Sequence, residues 1–251
     1  KKDDKVSARL AFESASRLDF DKNVQEEALY NYALIVYEQS YSPFNESVIA
    51  FEKFLSTFPE SRYADSVYDY LLNVYLTTKN YQAAYESIQK IKSKNPKILE
   101  ARQRVLYCMG IQQFTETEYD KAISYFSQSL EDGKSNFDVE ASTLFWRGEA
   151  YYRKKDYKKA EADFIKFLGS VGSRNCKEFN LAHYDLGYCF FTEKDYVNAL
   201  SWFRKYVNIE DQNKTILADA NNRIGDCYFY VRDFENAEKS YASVYALKGA
   251  G

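Results

Sequence analysis

Apolar residues recur along this chain at helical spacing, and the spacing repeats from one segment to the next. Residues 144–168 show the pattern most fully: Gly148 lies on the apolar face of a first helix, and Ala160 and Phe164 lie on the apolar face of a second. Polar residues separate the two faces. Because small residues let two helix backbones approach closely, the pattern predicts a helix hairpin with one apolar face left for a neighbour.

The small residue of the second helix recurs at steps of 37 to 39 positions along the chain. A bulky apolar residue follows four positions after each small residue, and in the later copies a glycine stands twelve positions before it. This pattern predicts an internal repeat whose unit is two helices. The small residues are Ala8, Ser47, Ala84, Ala122, Ala160, Ala199 and Ala237, and the glycines are Gly110, Gly148, Gly187 and Gly225.

The unit resembles the tetratricopeptide repeat, which carries Tyr-x-x-Ala-x-x-x-Phe in its second helix. Residues 185–203 match that pattern almost completely, and Pro59 and Pro96 stand where the family ends its second helix. The resemblance covers nearly the whole chain, although the step exceeds the family's typical ~34 residues. It implies an all-α fold: a right-handed α-solenoid of antiparallel helix pairs, with about six repeats and one leading helix, thirteen helices in all.

We expect residues 1–251 to form one such solenoid and to be a fragment of a longer protein, because Met109 is the single methionine and the chain begins at Lys1. The lone leading helix is predicted over residues 5–18. We also expect the apolar face of the last helix to be uncovered, which would permit end-to-end self-association through Tyr241, Val244 and Tyr245. The repeats are predicted at about residues 26–58, 64–96, 100–133, 141–171, 179–209 and 217–247.

Charge and hydropathy exclude two classes of partner. The 34 basic and 37 acidic residues are mixed along the chain and leave a net charge of -3, so there is no basic stripe of the kind that binds nucleic acid. No apolar run approaches the ~20 residues that a membrane-spanning helix needs. We therefore expect a protein or a peptide as the partner, with no nucleic acid and no direct membrane span.

Catalytic and metal-binding chemistry has few candidates in this sequence. His183 is the single histidine, and none of the four cysteines forms a Cys-x-x-Cys pair. Cys189 and Cys227 occupy equivalent positions in consecutive units, which predicts small buried thiols rather than a disulfide. No glycine-rich phosphate loop and no close pair of carboxylates can be identified. The sequence predicts no enzyme, no bound metal and no cofactor.

The resemblance also implies where a partner would bind, because the first helices of tetratricopeptide units line the concave wall. On each first helix, a second row of positions lies next to the residues that pack on the partner helix. This row is aromatic in the third, fourth and fifth units, and we expect its rings to be partly exposed and to bind the partner. The alternative is that they fill gaps between adjacent first helices. The Lys and Asn set of the family's chaperone-tail clamp is missing, so an acidic tail is not the expected ligand. The candidate residues are Tyr107, Phe114, Phe145, Tyr152, Tyr184, Tyr188 and Phe191.

These features predict a non-enzymatic scaffold for protein–protein interaction that binds its partner in an aromatic concave groove. Two alternatives stay open: a structural or assembly component of a bacterial cell-envelope complex, and a regulatory domain of a larger multidomain protein. Residues 50–65 are similar to the unit junction of bacterial envelope repeat proteins such as the outer-membrane assembly lipoprotein and the Tol-Pal coordinator. That similarity favours the periplasm or cell envelope over the cytoplasm.

Overall fold

The computed structural model describes residues 2–39, 46–77, 79–90, 96–131, 136–209 and 213–249. Within these ranges the chain forms thirteen α-helices, one short 3-10 helix and no strand, which confirms the all-α prediction and the number of helices. The helices are α1 (Lys2–Ser16), α2 (Lys22–Gln39), α3 (Glu46–Thr57), α4 (Ala64–Thr77), α5 (Tyr81–Lys90), α6 (Pro96–Thr115), α7 (Tyr119–Glu131), α8 (Phe137–Arg153), α9 (Tyr157–Gly169), the 3-10 helix (Val171–Asn175), α10 (Leu181–Thr192), α11 (Tyr196–Val207), α12 (Lys214–Tyr230) and α13 (Phe234–Gly249).

The chain divides into two compact units, Lys1–Val105 and Leu106–Gly251, with the boundary inside α6. In the first unit each helix from α1 to α4 packs against the next one along the chain. In the second unit the same is true from α7 to α13. Each unit is therefore a series of helix hairpins stacked in chain order, as the repeat pattern predicts. A single solenoid over both units stays a prediction.

The close approach of the two helices in a hairpin depends on a glycine opposite an aromatic ring. A Cβ added at Gly148 would lie 2.9 Å from ring carbon Cε1 of Phe164, which is closer than such atoms pack. Ala160, on the same helix as Phe164, is fully buried. The same glycine–ring contact recurs three more times in the second unit, so the predicted register of both helices is confirmed. The other pairs are Gly110 with Phe126, Gly187 with Phe203, and Gly225 with Tyr241.

The turns inside the hairpins repeat as well, although their sequences differ. Among the residues that the structure describes, five non-glycine residues have a positive φ, and each lies five positions before the small residue of its second helix. In four of these turns the side chain of the next residue caps that helix. For example, Asp156 Oδ1 accepts a hydrogen bond from the backbone N–H of Lys159 at 3.4 Å, and Asp195 Oδ1 accepts one from Asn198 at 3.2 Å. The residues with positive φ are Lys79, Thr117, Lys155, Lys194 and Arg232.

A buried ion pair joins three consecutive helices of the second unit. Arg147 on α8 donates to Asp163 on α9 through two parallel hydrogen bonds, Nε to Oδ2 at 2.7 Å and Nη2 to Oδ1 at 2.8 Å. Its Nη1 donates to the hydroxyl of Ser127 on α7 at 3.1 Å. The side chains of Arg147 and Asp163 are 16% and 4% exposed, so the pair forms part of the packed interior between hairpins.

Candidate interaction surface

The seven candidate residues lie on the first helices α6, α8 and α10, all within the second unit. Six of them are half-buried, but Phe145 is only 1% exposed. Its ring centroid lies 5.6 Å from that of Phe164 and 5.4 Å from that of Phe167 on the partner helix α9. The expectation of partial exposure is therefore wrong for Phe145, because its ring points into its own hairpin and belongs to the core.

Helix α10 brings three candidate rings together. Tyr184 and Tyr188 are in edge contact with ring centroids 4.9 Å apart, and Tyr188 and Phe191 are 6.4 Å apart. The hydroxyl of Tyr184 donates a 2.9 Å hydrogen bond to Oδ2 of Asp219 on α12, and the hydroxyl of Tyr188 donates to the same oxygen. Burial and its own hydrogen bond to Asp219 raise the pKa of Tyr188 to about 12. Both phenols are thus fixed across the seam between α10 and α12.

Charged residues of α12 extend this cluster. The guanidinium of Arg223 lies 5.5 Å from the centroid of the Phe191 ring, close enough for a cation–π contact. Arg223 also pairs with Asp226 at 2.6 Å and with Asp219 at 3.7 Å. The hydroxyl of Tyr241 on α13 donates to Asp226 at 2.7 Å. The charged side chains of α12 therefore contact aromatic rings of both α10 and α13.

The two candidates on α6 contact the following first helix, α8. Phe114 meets Trp146 edge-on at 5.2 Å between ring centroids. Tyr107 lies 6.3 Å from Phe126, and its hydroxyl is in hydrogen-bonding contact with Ser142 on α8. Burial raises the pKa of Tyr107 to about 12. Both rings occupy the seam between α6 and α8 and stay half-exposed.

Tyr152 is the one remaining candidate on α8. Its ring meets Tyr157 edge-on at 5.3 Å, and its hydroxyl contacts the side chain of Thr192 on α10. Burial raises the pKa of this phenol. Four tyrosines of the set therefore reach the next first helix, as the gap-filling alternative requires. These tyrosines are also partly exposed, as a binding surface requires. The same side chains therefore fit both the gap-filling and the binding interpretation.

Sequence reasoning missed the polar residues that hold these rings. Asp219 lies on α12 within the register of the candidate rings, and Arg223 lies one turn after it, but neither was expected to hold a ring. An acidic residue one unit after a pair of tyrosines was the available signal. It also missed the carboxyls of Glu149 on α8 and Asp185 on α10, which interact electrostatically across the seam between those helices. Acidic residues on repeat helices are usually solvated, so their spacing alone did not reveal this pair.

The residues considered for metal or redox chemistry are packing residues. His183 is half-buried between Phe179 and Trp202, with its Nδ1 3.1 Å from the carbonyl oxygen of Phe179. Cys189 and Cys227 are buried free thiols, and their predicted burial is confirmed. Over the described ranges, no group of three or more His, Cys, Asp or Glu side chains is placed to hold a metal ion.

Each unit has a cavity on its described surface. In the first unit a cavity of about 300 Å³ lies between α4 and α6, with Asn73 and Arg104 among its lining residues. In the second unit an apolar cavity of about 470 Å³ lies between the end of α12 and α13. It is lined by Phe229, Phe234, Ala237, Glu238, Tyr241 and Ala242.

The exposed face of α13 differs from the predicted one. Val244 is only 5% exposed, so it is not available to a partner. Tyr241 packs its ring on Gly225, and the side chain of Tyr245 lies outside the described residues. The exposed apolar side chains here are instead Phe229 and Phe234, at 54% and 58%.

The fold and these surfaces define a helical-repeat protein in which long side chains on the first helices bridge consecutive hairpins. Residues 110–169 and 171–214 match the family model of the tetratricopeptide repeat. This part of the chain therefore consists of tetratricopeptide repeats, and the predicted resemblance is confirmed there. The family consists in general of non-enzymatic scaffolds for protein–protein interaction. No curated protein matches the chain by sequence.

Solved structures share the fold at low sequence identity. The chain is similar to BtubC (BKLC) from P. vanneervenii, with 15% identity, a TM-score of 0.57 and coverage of 98% of this chain and 90% of that one. It is similar to YrrB, described as a TPR protein with an unusual peptide-binding site, with 18% identity, a TM-score of 0.55 and coverage of 80% and 93%. It is also similar to MamA from Desulfovibrio magneticus RS-1, with 16% identity, a TM-score of 0.51 and coverage of 74% of this chain and 96% of that one. None of the described helices is both long and apolar enough to cross a membrane.

Proposed function

We propose that this protein is a scaffold that holds a peptide or a helix of a partner protein against the half-exposed rings of its first helices. These rings are called the aromatic stripe: Tyr107, Phe114, Tyr152, Tyr184, Tyr188 and Phe191. In the tetratricopeptide family the first helices line the inner wall, where partners bind. YrrB, which shares this fold, is described as having a peptide-binding site, and this supports a peptide as the ligand class.

The observation that carries the proposal is the fixation of the stripe's tyrosines by hydrogen bonds. Tyr184 and Tyr188 share Asp219 as acceptor, and Tyr152 contacts Thr192, so these rings are held in place before any partner arrives. Rigid aromatic side chains lose little entropy on binding and bury large apolar areas, which makes them strong anchors. The residues of the stripe stay half-exposed, so part of each ring remains available to a partner.

The binding surface can be mapped with a peptide selected from a displayed random library against the purified protein. We expect the peptide to protect α8 and α10 from amide hydrogen exchange and to shift the ring signals of the stripe in NMR spectra. Val197 and Ile165 serve as controls, because they lie 69% and 45% exposed on the second helices of the same hairpins. Selected peptides that perturb the control positions and leave the stripe unchanged would contradict the proposal.

A second candidate function, an assembly component that associates end to end, is favoured by the apolar cavity beside α13. Phe229 and Phe234 line this cavity and expose more than half of their side chains. Self-association through this surface predicts that the sedimentation coefficient rises with protein concentration. Phe234→Asp should abolish the rise, while Val197→Asp on α11 should retain it. Equal behaviour of both variants and the parent protein would argue against this surface.

The location in a bacterial cell envelope rests on residues 50–65 and stays a prediction. In that stretch Tyr63 stacks on Tyr30 with ring centroids 4.2 Å apart, so the junction is part of the packing of the first unit. A regulatory role within a larger chain also stays a prediction. Fractionation of the native cells, followed by immunodetection, distinguishes an envelope protein from a cytoplasmic one.

A further inference from the structure

The carboxyl groups of Glu149 on α8 and Asp185 on α10 interact electrostatically across the seam between these helices. The side chain of Glu149 is 13% exposed, and atom Oδ2 of Asp185 is shut off from solvent without a hydrogen-bond partner. Each of the two groups has its charged form disfavoured by burial, and the Glu149 carboxylate further disfavours ionisation of Asp185. An unpartnered carboxylate oxygen in such a position is costly unless the group carries a proton.

The cations nearby cannot neutralise both carboxyls. Arg153 on α8 reaches Glu149 with 3.5 Å between Nη2 and Oε2, but 55% of its side chain faces solvent. Lys158 on α9 is already paired with Glu161 at 3.2 Å and with Glu193 at 2.5 Å. The other titratable groups that face the pair from the neighbouring helices are Tyr152, Cys189 and Tyr206. All three are neutral at pH 7, so acids exceed bases around the seam.

The protonation of the pair follows from this environment. Burial and the neighbouring Glu149 raise the pKa of Asp185 well above its ordinary value, and Arg153 opposes this only in part. Burial also raises the pKa of Glu149. Two coupled carboxyls titrate as a unit, so the first proton leaves well before the second on raising the pH. The seam therefore retains a proton at a pH at which exposed carboxyls are ionised.

We propose that Glu149 and Asp185 form a pH-dependent contact, called the joint, between the fourth and fifth hairpins. With a proton bound, the two carboxyls close the seam between α8 and α10. Release of that proton to solvent leaves two buried negative charges, which repel and loosen the seam. Each hairpin of a repeat array contacts only its neighbours, so the loosening acts first on side chains that bridge the same seam. Tyr152 and Thr192 are such a pair.

The direction of the pH effect follows from the number of bound protons. In the unfolded chain both carboxyls ionise near pH 4, whereas the folded chain retains a proton to higher pH. The folded state binds more protons in this window, so stability falls as pH rises through it. One retained proton predicts that the folding equilibrium constant falls by up to about tenfold per pH unit within the window.

Urea unfolding at pH values from 5 to 8 tests the joint, using the parent protein, Asp185→Asn and Glu149→Gln. We expect the midpoint of the parent protein to fall with rising pH, and Asp185→Asn to flatten the profile and raise the midpoint at pH 8. Asp120→Asn is the matched control, because Asp120 is 84% exposed on α7, and it should retain the parent's profile. Parallel profiles for the parent and Asp185→Asn, or a lower midpoint of Asp185→Asn at pH 8, would overturn the proposal.

Measurements on the parent protein give a second test that does not depend on a variant. In a ¹³C NMR titration we expect one side-chain carboxyl of the pair to change protonation at higher pH than the exposed carboxyls of the chain. Amide protection of α8 and α10, corrected for the intrinsic pH dependence of exchange, should fall over the same range while that of α12 and α13 changes less. If both carboxyls titrate together with the exposed carboxyls, or the protection of all four helices falls in parallel, the joint does not exist.

Discussion

Oδ2 of Asp219 on α12 accepts hydrogen bonds from both Tyr184 and Tyr188 on α10. One carboxylate thus fixes two aromatic rings of the stripe from the following hairpin. Arg223 lies beside the same carboxylate, at 3.7 Å from Oδ1. The contact explains how consecutive first helices are joined by long side chains whose rings stay half-exposed.

Removal of the shared acceptor should destabilise the second unit more than removal of one donor. Tyr184→Phe deletes a single hydrogen bond and should lower the free energy of unfolding by about 0.5–1.5 kcal/mol. Asp219→Ala leaves two hydroxyls without their acceptor and should cost about 1–3 kcal/mol. Urea unfolding measures both, with Tyr125→Phe on α7 as the control outside this network. Equal losses for Tyr184→Phe and Asp219→Ala would show that the carboxylate is not shared.

The close contact of each hairpin at its small residue predicts a large effect of added volume. Ala160 is fully buried on α9, so Ala160→Leu should lower the free energy of unfolding by about 1–3 kcal/mol through overpacking. Ala162→Leu, on the exposed side of the same helix, should change it by about 0.5 kcal/mol or less. Thermal melts of the two variants give the comparison. An unchanged melt for Ala160→Leu would mean that the repeat register is wrong.

The buried pair of Arg147 and Asp163 should show strong coupling between its members. Asp163→Ala leaves a guanidinium that is only 16% exposed without its carboxylate, and should cost about 3–5 kcal/mol. Replacing both residues, as Arg147→Met with Asp163→Leu, should cost less than Asp163→Ala alone because no unpaired charge remains. A double-mutant cycle by urea unfolding measures this coupling. Additive losses would contradict it.

We predict that the purified protein holds no stoichiometric metal, since its buried thiols are isolated packing residues. Burial raises the pKa of Cys227 to about 12, so this thiol is protonated at neutral pH and is a poor metal ligand. Elemental analysis of the protein, before and after dialysis against a chelator, checks the prediction. A metal present at one equivalent and lost in Cys189→Ser or Cys227→Ser would contradict it.

The hairpin fold could be predicted from the sequence because its determinants are local and repeated. Gly148 and Ala160 are twelve positions apart, and their equivalents recur in other units at the same spacing. Each local contact, such as the ring of Phe164 on Gly148, needs only two residues of one hairpin. Errors at a single copy are therefore outweighed by agreement among the others.

The surface could be predicted only in part, because exposure depends on the neighbouring hairpin. Phe145 has the same register as Tyr184, yet its ring packs on Phe164 and Phe167 inside its own hairpin. Helical periodicity gives the angle of a side chain around the axis, but it does not show how much a neighbouring helix covers it. The same reason hid the burial of Oδ2 of Asp185, which depends on the neighbouring hairpin.

The central claim is that the aromatic stripe binds the partner, and the affinity of a peptide selected against the parent protein tests it most directly. Fluorescence anisotropy would compare the parent, the Tyr152→Ala and Tyr188→Ala double variant, and the Ile165→Ala and Val197→Ala double control. Circular dichroism would first confirm that each variant is folded. We expect the stripe variant to lose several kcal/mol of binding free energy, about 2 or more per anchor, and the control to bind as the parent does. Full affinity in the folded stripe variant would contradict the claim.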